Sequence, residues 1–274
     1  MESMREFFLY FFGVGELGEF KEFSLAHFLP ILIAAGCVWL IWHYREQLRT
    51  SRYGYILPWT LAFAMIVCEM SYFWRLLNHP ELGLDNPAAD YLPITVCGWA
   101  TIFASYMIVT KSQKLFDIVY FLVFAGSTFA LVTPAVIATT GPTRFRYYQF
   151  WGEHLLGYLA LFYLMFVEKM RPTFRSLIRA MAFMLVLMGA AILANELVGP
   201  PANYLFLTTS EDGKSILDIL PTNLGLRLLI MAPVLILMFF LAYLPWFIMD
   251  RKKAKAAQST QESTQESTQE STQA

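Results

Sequence analysis

The sequence predicts an all-α membrane protein built as a bundle of seven transmembrane helices. Of its 274 residues, 57% are hydrophobic and only 15% are charged, whereas soluble domains carry about 25% charged residues. The apolar residues also fall in continuous runs of about 20 rather than in amphipathic stripes, and each run is long enough to cross a bilayer. These observations together favour spanning helices over a soluble core.

Four regions follow from this pattern. Residues 1–24 form an external interfacial segment, and residues 25–249 form the seven-span membrane domain. Within that domain, the external loop 199–225 mixes aromatic and polar residues, and we expect it to rest as a lid on an outer cavity. Residues 250–274 are predicted to form a disordered cytoplasmic tail, because residues 258–274 repeat Ser-Thr-Gln-Glu and lack large apolar residues that could stabilise an ordered structure. The spans are placed at residues 25–44, 55–77, 91–110, 115–137, 147–167, 175–198 and 226–249.

The distribution of positive charge predicts the orientation. Thirteen of the 20 Lys and Arg residues lie on one side of these spans, and the richer side is normally cytoplasmic. The N-terminus is therefore predicted to lie outside and the C-terminus inside, in a multi-pass protein of the cell membrane. In this orientation the polar residues of the spans gather in the outer half, and the inner half is nearly all apolar.

Cys97 and His154 stand out because the predicted spans bring them to the same depth. Pro93 fits a first helical turn, where a missing N–H costs nothing, so Cys97 should lie about six residues into the third span. His154 lies at a matching depth in the fifth span. A thiol becomes a nucleophile when a base or cation is near, and imidazole is the usual partner. Cys37 and Cys68 are interpreted as small buried hydrophobes.

Other polar residues of the outer half are candidate helpers of this pair. Glu69 is a candidate to orient the imidazole, the alternative being that it pairs with a polar group of another span. Asn195, Gln149 and Thr95 are further candidate orienting groups or oxyanion donors. His27 is a candidate second base. Arg144 and Arg146 are candidate ligands of a lipid phosphate, although a basic, aromatic interface anchor explains them equally well.

Several short motifs resemble one known family. They are Phe23-Ser24 followed by His27, Leu92-Pro93-Ile94 leading to Cys97, His154, and Asn203-Tyr204-Leu-Phe-Leu207 with Ser215 to Asp218. Their order resembles that of the YwaF-like bacterial integral membrane proteins and their vertebrate relatives, which include a cysteine-dependent phospholipid acyltransferase. The resemblance implies that Cys97 and His154 are the catalytic pair and that Asn203, Tyr204 and Asp218 belong to a substrate-binding loop. The chain has Thr95 where the family often has histidine.

The leading hypothesis is a membrane acyltransferase or lipid hydrolase that acts on phospholipid or lysophospholipid acyl chains at the outer leaflet through a thioester. Membrane lipids are the expected partners; no nucleic acid and no cofactor are expected. A metal site is a weaker alternative, since HExxH and CxxC patterns are absent. A non-enzymatic lipid-binding or receptor-like protein is the main alternative. A solute carrier is disfavoured, because the polar residues do not continue through the inner half.

Overall fold

The computed structural model describes residues 2–12, 20–78, 92, 94–134, 141–207 and 219–273. Every regular element within these residues is a helix. In chain order they are α1 (Glu2–Phe12), α2 (Leu25–His43), α3 (Arg45–Thr50), α4 (Tyr53–Asn78), α5 (Val96–Thr110), α6 (Gln113–Leu122), a π-helix (Val123–Ser127), α7 (Thr128–Val132), α8 (Phe145–Phe166), α9 (Phe174–Val198), a 3₁₀ turn (Tyr204–Phe206) and α10 (Leu224–Gln273).

Each predicted span coincides with a helix or, for the fourth, with the continuous run α6–π-helix–α7. Five helical segments are long and apolar enough to cross a membrane: Leu25–His43, Tyr53–Trp74, Gln113–Val132, Phe174–Val198 and Leu224–Gln261. Helix α5 is apolar but shorter, and α8 is not one of the five. The chain is thus an all-helical multi-pass membrane protein, while the count of seven spans and the orientation stay predictions.

The centre of the bundle is formed by α5, α6 and α8. Ala104 and Met107 of α5, Phe121 of α6 and Leu161 of α8 are completely buried in one apolar cluster. The outer helices, in contrast, leave large apolar side chains uncovered; Leu25 of α2, for example, is 73% exposed. Uncovered apolar faces of this extent need another apolar medium, and a lipid bilayer supplies it.

A π-helix at Val123–Ser127 interrupts the central α6–α7 run. Insertions of this kind are rare and often mark functional sites. Gly126 lies in it, and a Cβ atom there would come within 2.8 Å of Val96 Cγ1. The missing side chain therefore allows the first turn of α5 to approach the π-helix closely.

Asp117 shows that the half of the bundle predicted to be the inner one is less apolar than expected. Its side chain is only 2% exposed and forms an ion pair with Arg179 of α9. One carboxylate oxygen also accepts hydrogen bonds from the Ser176 hydroxyl at 2.6 Å and from the Gln113 amide at 2.8 Å. A buried carboxylate needs such partners, and here they tie α6 to the first turn of α9.

The C-terminal stretch also differs from the prediction. We expected no regular structure after residue 250, but α10 continues as one helix to Gln273. No glycine or proline follows Pro245, and Ala, Lys, Gln and Glu are good helix formers. The prediction of disorder rested on the low apolar content alone, whereas helix formation also depends on the helix propensity of polar residues.

Candidate functional site

Helix α5 begins at Val96, five residues later than the predicted start of the third span. Thr95 is its N-cap: its backbone is extended, and its side-chain oxygen accepts a hydrogen bond from the Gly98 N–H at 3.1 Å. Cys97 consequently lies in the first turn of the helix, not six residues inside it. This cap satisfies an otherwise unpaired N–H at the start of the helix and uses the Thr95 hydroxyl oxygen as an acceptor; the role of Thr95 as an orienting group or oxyanion donor stays a prediction.

Cys97 faces the π-helix. A Cβ atom on Gly126 would lie 3.6 Å from the Cys97 sulfur, and the phenol of Tyr158 on α8 is within electrostatic reach of Cys97. The Tyr158 hydroxyl forms a 2.6 Å hydrogen bond with the Thr128 hydroxyl and donates to the Val123 carbonyl at 3.3 Å. The half-buried thiol thus lies where α5, the π-helix and α8 meet.

Tyr158 was not singled out by sequence reasoning. The one signal that would have found it is its spacing, since it lies four residues after His154 and therefore on the same face of α8.

His154 is held in one tautomer by its own helix. The imidazole is 5% exposed, and Nδ1 lies 2.7 Å from the Phe150 carbonyl oxygen. A carbonyl can only accept, so Nδ1 of the neutral ring carries the proton and Nε2 presents its lone pair. The Phe150 ring, with its centroid 4.4 Å away, fixes the plane of the imidazole.

The group that orients His154 is therefore the Phe150 carbonyl rather than any of the side chains we expected. The Gln149 amide donates to Glu153 Oε2 at 3.0 Å. The Asn195 amide, in the last turn of α9, pairs with the backbone of Tyr204 in the loop that follows. A histidine in a helix reaches the carbonyl four residues earlier without help from another helix, which is why no distant residue is needed.

Glu69 belongs to a polar cluster between α4 and α8. One of its carboxylate oxygens lies 3.0 Å from where a Cβ on Gly98 would be, and it is in the electrostatic field of Glu153 and Arg146. Arg146 pairs with Glu153 at 3.6 Å, both side chains being less than one fifth exposed, and its guanidinium lies over the Tyr72 ring. Arg146 is thus engaged inside the bundle rather than directed to a lipid phosphate.

Arg144 is also an internal anchor. It is 2% exposed, it donates to the Tyr10 carbonyl oxygen at 2.5 Å, and its guanidinium lies 3.5 Å from the centre of the Tyr10 ring. These contacts attach α1 to the start of α8. Of the two readings the sequence left open, a basic, aromatic anchor describes this residue, and phosphate binding does not.

His27 does not serve as a second base. It is 2% exposed, its Nδ1 accepts from the Phe23 N–H at 3.2 Å, and its Nε2 donates to the Leu131 carbonyl at 2.8 Å. Both ring nitrogens are therefore used in holding the start of α2 against the end of α7, and no lone pair remains for a proton transfer.

The loop after α9 is fastened to the chain that leads into α5. The Tyr204 hydroxyl accepts from the Leu92 N–H at 2.9 Å, and the Asn195 amide brackets the Tyr204 backbone through bonds of 2.7 and 3.1 Å. Asn203 immediately precedes the 3₁₀ turn. The bond to Leu92 attaches this loop to the chain five residues before Cys97. Asp218 and residues 208–217 lie outside the described part of the chain, so the lid stays a prediction.

Arg227, at the start of α10, is a buried cation that the sequence did not single out. It is 1% exposed and donates to the Phe206 carbonyl at 2.6 Å and the Pro221 carbonyl at 3.2 Å. Leu205 and Phe206 have positive φ angles of 57° and 54°, a conformation that non-glycine residues adopt only when their surroundings enforce it. Arg227 and Asn195 thus hold this turn from two sides.

Two apolar grooves lie towards the end of the bundle opposite Cys97. The larger has a volume of about 580 Å³ and the smaller about 310 Å³. Neither is lined by Cys97 or His154, so neither is the outer cavity that the sequence predicted. Among the described residues no cluster of three or more His, Cys, Asp or Glu side chains is arranged to hold a metal ion.

These helices and their uncovered apolar faces define a multi-pass helical membrane protein with a thiol in the first turn of a central helix. The chain belongs to the TMEM164 family, whose model matches residues 22–254. The matched region contains both Cys97 and His154, whereas membership of the YwaF-like bacterial group stays a prediction. The chain has no significant match among curated proteins or among solved structures.

Proposed function

We propose that the protein is a membrane acyltransferase that uses Cys97 as nucleophile and His154 as general base on phospholipid acyl chains. The observation that carries the proposal is the tautomer of His154, whose Nδ1–H is bound to the Phe150 carbonyl. This arrangement presents a basic Nε2, which is what deprotonation of a thiol requires.

The contact between α5 and α8 supports the pairing. The Thr101 hydroxyl of α5 donates to the Glu153 carbonyl of α8 at 3.2 Å, so the two helices touch one residue from His154 and four residues from Cys97. The start of α5 adds a second support, because N–H groups and the positive end of the helix dipole stabilise a thiolate or an oxyanion at a first turn.

The reaction proceeds in two balanced steps. His154 Nε2 takes the proton of Cys97, and the thiolate attacks the carbonyl carbon of an acyl ester. The ester C–O bond breaks, the leaving oxygen takes the proton from His154, and the acyl group stays on sulfur as a thioester. An acceptor hydroxyl then gives its proton to His154 and attacks the thioester, which regenerates the thiol; water as acceptor makes the protein a lipid hydrolase.

A non-enzymatic lipid-binding protein is the second candidate. The observation that favours it is the pair of apolar grooves, which lie away from Cys97 and His154. Such grooves suit lipid chains without any chemistry.

The deciding experiment is intact mass measurement of the purified full chain after incubation with phospholipid. We expect an added acyl mass that hydroxylamine removes, and loss of this mass in Cys97→Ala. His154→Ala should form the adduct at least about 100-fold more slowly. Cys37→Ala is the matched control, because Cys37 is another half-buried thiol in a spanning helix, and it should behave as the wild type.

Two results contradict the proposal. One is an adduct that persists in Cys97→Ala, which would place the nucleophile elsewhere. The other is the absence of both adduct and released fatty acid or lysolipid in the wild type, which favours the lipid-binding candidate.

A further inference from the structure

The larger apolar groove lies between α4, α5 and the start of α6, at the end of the bundle that the charge count predicts to be cytoplasmic. It has a volume of about 580 Å³, within the range of about 300–1,000 Å³ typical of ligand sites. Its lining includes Ile66 of α4, Ile102, Phe103 and Tyr106 of α5, and Ser112 and Lys114 beyond the end of α5.

The groove has an apolar part along α5 and a basic, polar end at the turn between α5 and α6. On α5 the groove is lined by Ile102, Phe103, Ser105 and Tyr106, and the Ser105 hydroxyl donates to the Ile102 carbonyl oxygen at 2.7 Å, so this part of the groove presents a mainly apolar surface. At the turn that follows, Lys114 is exposed and Ser112 supplies a hydroxyl. An apolar channel that ends at an ammonium group matches an anionic amphiphile in charge and polarity.

Lys114 differs from its neighbour Lys111 in one respect that matters here. Lys111 forms an ion pair with Glu168 at 2.6 Å, whereas Lys114 is paired with none of the acidic side chains in the described part of the chain. Its positive charge therefore faces the groove without a protein counter-ion. Basic groups at the ends of clefts between spanning helices are typical positions for anionic lipid headgroups.

We propose that this groove binds one anionic phospholipid from the adjacent leaflet, with an acyl chain along α5 and the phosphate at Lys114. The site is distinct from Cys97 and His154 and does not depend on their chemistry. Burial of the chain against Ile66 and Ile102 supplies the apolar part of the affinity, and the ammonium group supplies the preference for a negative headgroup.

Native mass spectrometry of the detergent-solubilised full chain tests the proposal, with dioleoyl phosphatidylglycerol and dioleoyl phosphatidylcholine as probes. We expect the wild type to bind the anionic lipid more tightly. Lys114→Gln should lower the affinity for phosphatidylglycerol about fivefold, as expected for one basic group near an anionic headgroup. It should leave the affinity for phosphatidylcholine unchanged. Lys114→Arg should retain the preference. Ile66→Trp places a larger side chain in the groove from an exposed position and should lower the affinity for both lipids.

Lys111→Gln is the matched control, because it removes the same charge from the same turn while sparing the groove. Equal weakening by Lys111→Gln and Lys114→Gln would overturn the proposal, since diffuse charge would then explain the preference. Equal binding of the two lipids by the wild type would also overturn it. Glycerol 3-phosphate, which has the headgroup charge but no acyl chain, should not displace the lipid, and displacement at equal concentration would rule out the acyl groove.

Discussion

Replacement of Gly126 by alanine tests whether the π-helix positions Cys97. The new Cβ would lie 2.8 Å from Val96 Cγ1 and 3.6 Å from the Cys97 sulfur. Carbon atoms in good contact are about 3.5–4.0 Å apart, so the first turn of α5 and the π-helix must separate by about 1 Å. Val96 cannot relieve the contact easily, because a β-branched side chain in a helix has one strongly preferred rotamer.

The expected consequences are a loss of stability and a larger loss of reactivity. Overpacking of a tight contact costs about 1–3 kcal/mol, and the gain in helix propensity from glycine to alanine offsets at most about 1 kcal/mol. A displacement of about 1 Å at a nucleophile lowers a rate by up to about 100-fold. We therefore expect Gly126→Ala to be less stable by about 1–2 kcal/mol and to form the acyl adduct much more slowly.

Thermal unfolding in detergent and the time course of adduct formation by intact mass measure the two effects. Gly189→Ala is the matched control: it makes the same substitution in α9 at a position where, apart from the adjacent residues and the backbone of α9 itself, no atom lies within 4 Å of the new Cβ, so stability should be unchanged or slightly raised. If Gly126→Ala matches the control in both measurements, the π-helix does not constrain α5, and the assigned role of Gly126 is refuted.

Four further substitutions test other contacts of the bundle, each by the shift in the thermal unfolding midpoint. Tyr204→Phe removes the hydrogen bond between the loop after α9 and the Leu92 N–H and should cost about 1 kcal/mol; an unchanged midpoint would show that this bond does not hold the loop in place. Arg179→Ala leaves the buried Asp117 carboxylate without its counter-ion and should cost about 3–5 kcal/mol. Asp117→Ala removes the acceptor of the buried Ser176 hydroxyl but leaves the Arg179 guanidinium half exposed to solvent, so it should cost about 1–3 kcal/mol; a larger loss for Asp117→Ala than for Arg179→Ala would contradict the burial argument. His27→Leu deprives two backbone groups of their partners and should cost about 1–3 kcal/mol without abolishing adduct formation, since a catalytic base would behave in the opposite way.

The existence of the helices could be predicted from the sequence, but their ends could not. The third span was expected to begin at residue 91, whereas α5 begins at Val96 after the Thr95 cap. Apolar composition indicates which residues can lie in the membrane. It does not indicate where the backbone hydrogen bonds of a helix begin. For the same reason the helix through Gln273 was missed, because a polar helix gives no apolar pattern.

The candidate site was predicted in part. Cys97 and His154 were selected from their depth, and their joint role stays a prediction. The residues around them were assigned less well, because a polar side chain in a span has several possible partners on other helices. Arg146 was expected at a phosphate and pairs with Glu153; His27 was expected as a base and bonds to two backbone groups.

The sequence by itself determined that this protein is stable in a lipid bilayer rather than in water. Long apolar runs with few charges can be stable only across a bilayer, since each helix satisfies its own backbone and exposes apolar side chains to lipid. The tertiary structure decided which polar groups meet inside the bundle. Rotation of a helix by one residue turns a side chain by about 100°, so whether Cys97 faces Gly126 and Asp117 faces Ser176 depends on packing between helices, which no single span encodes.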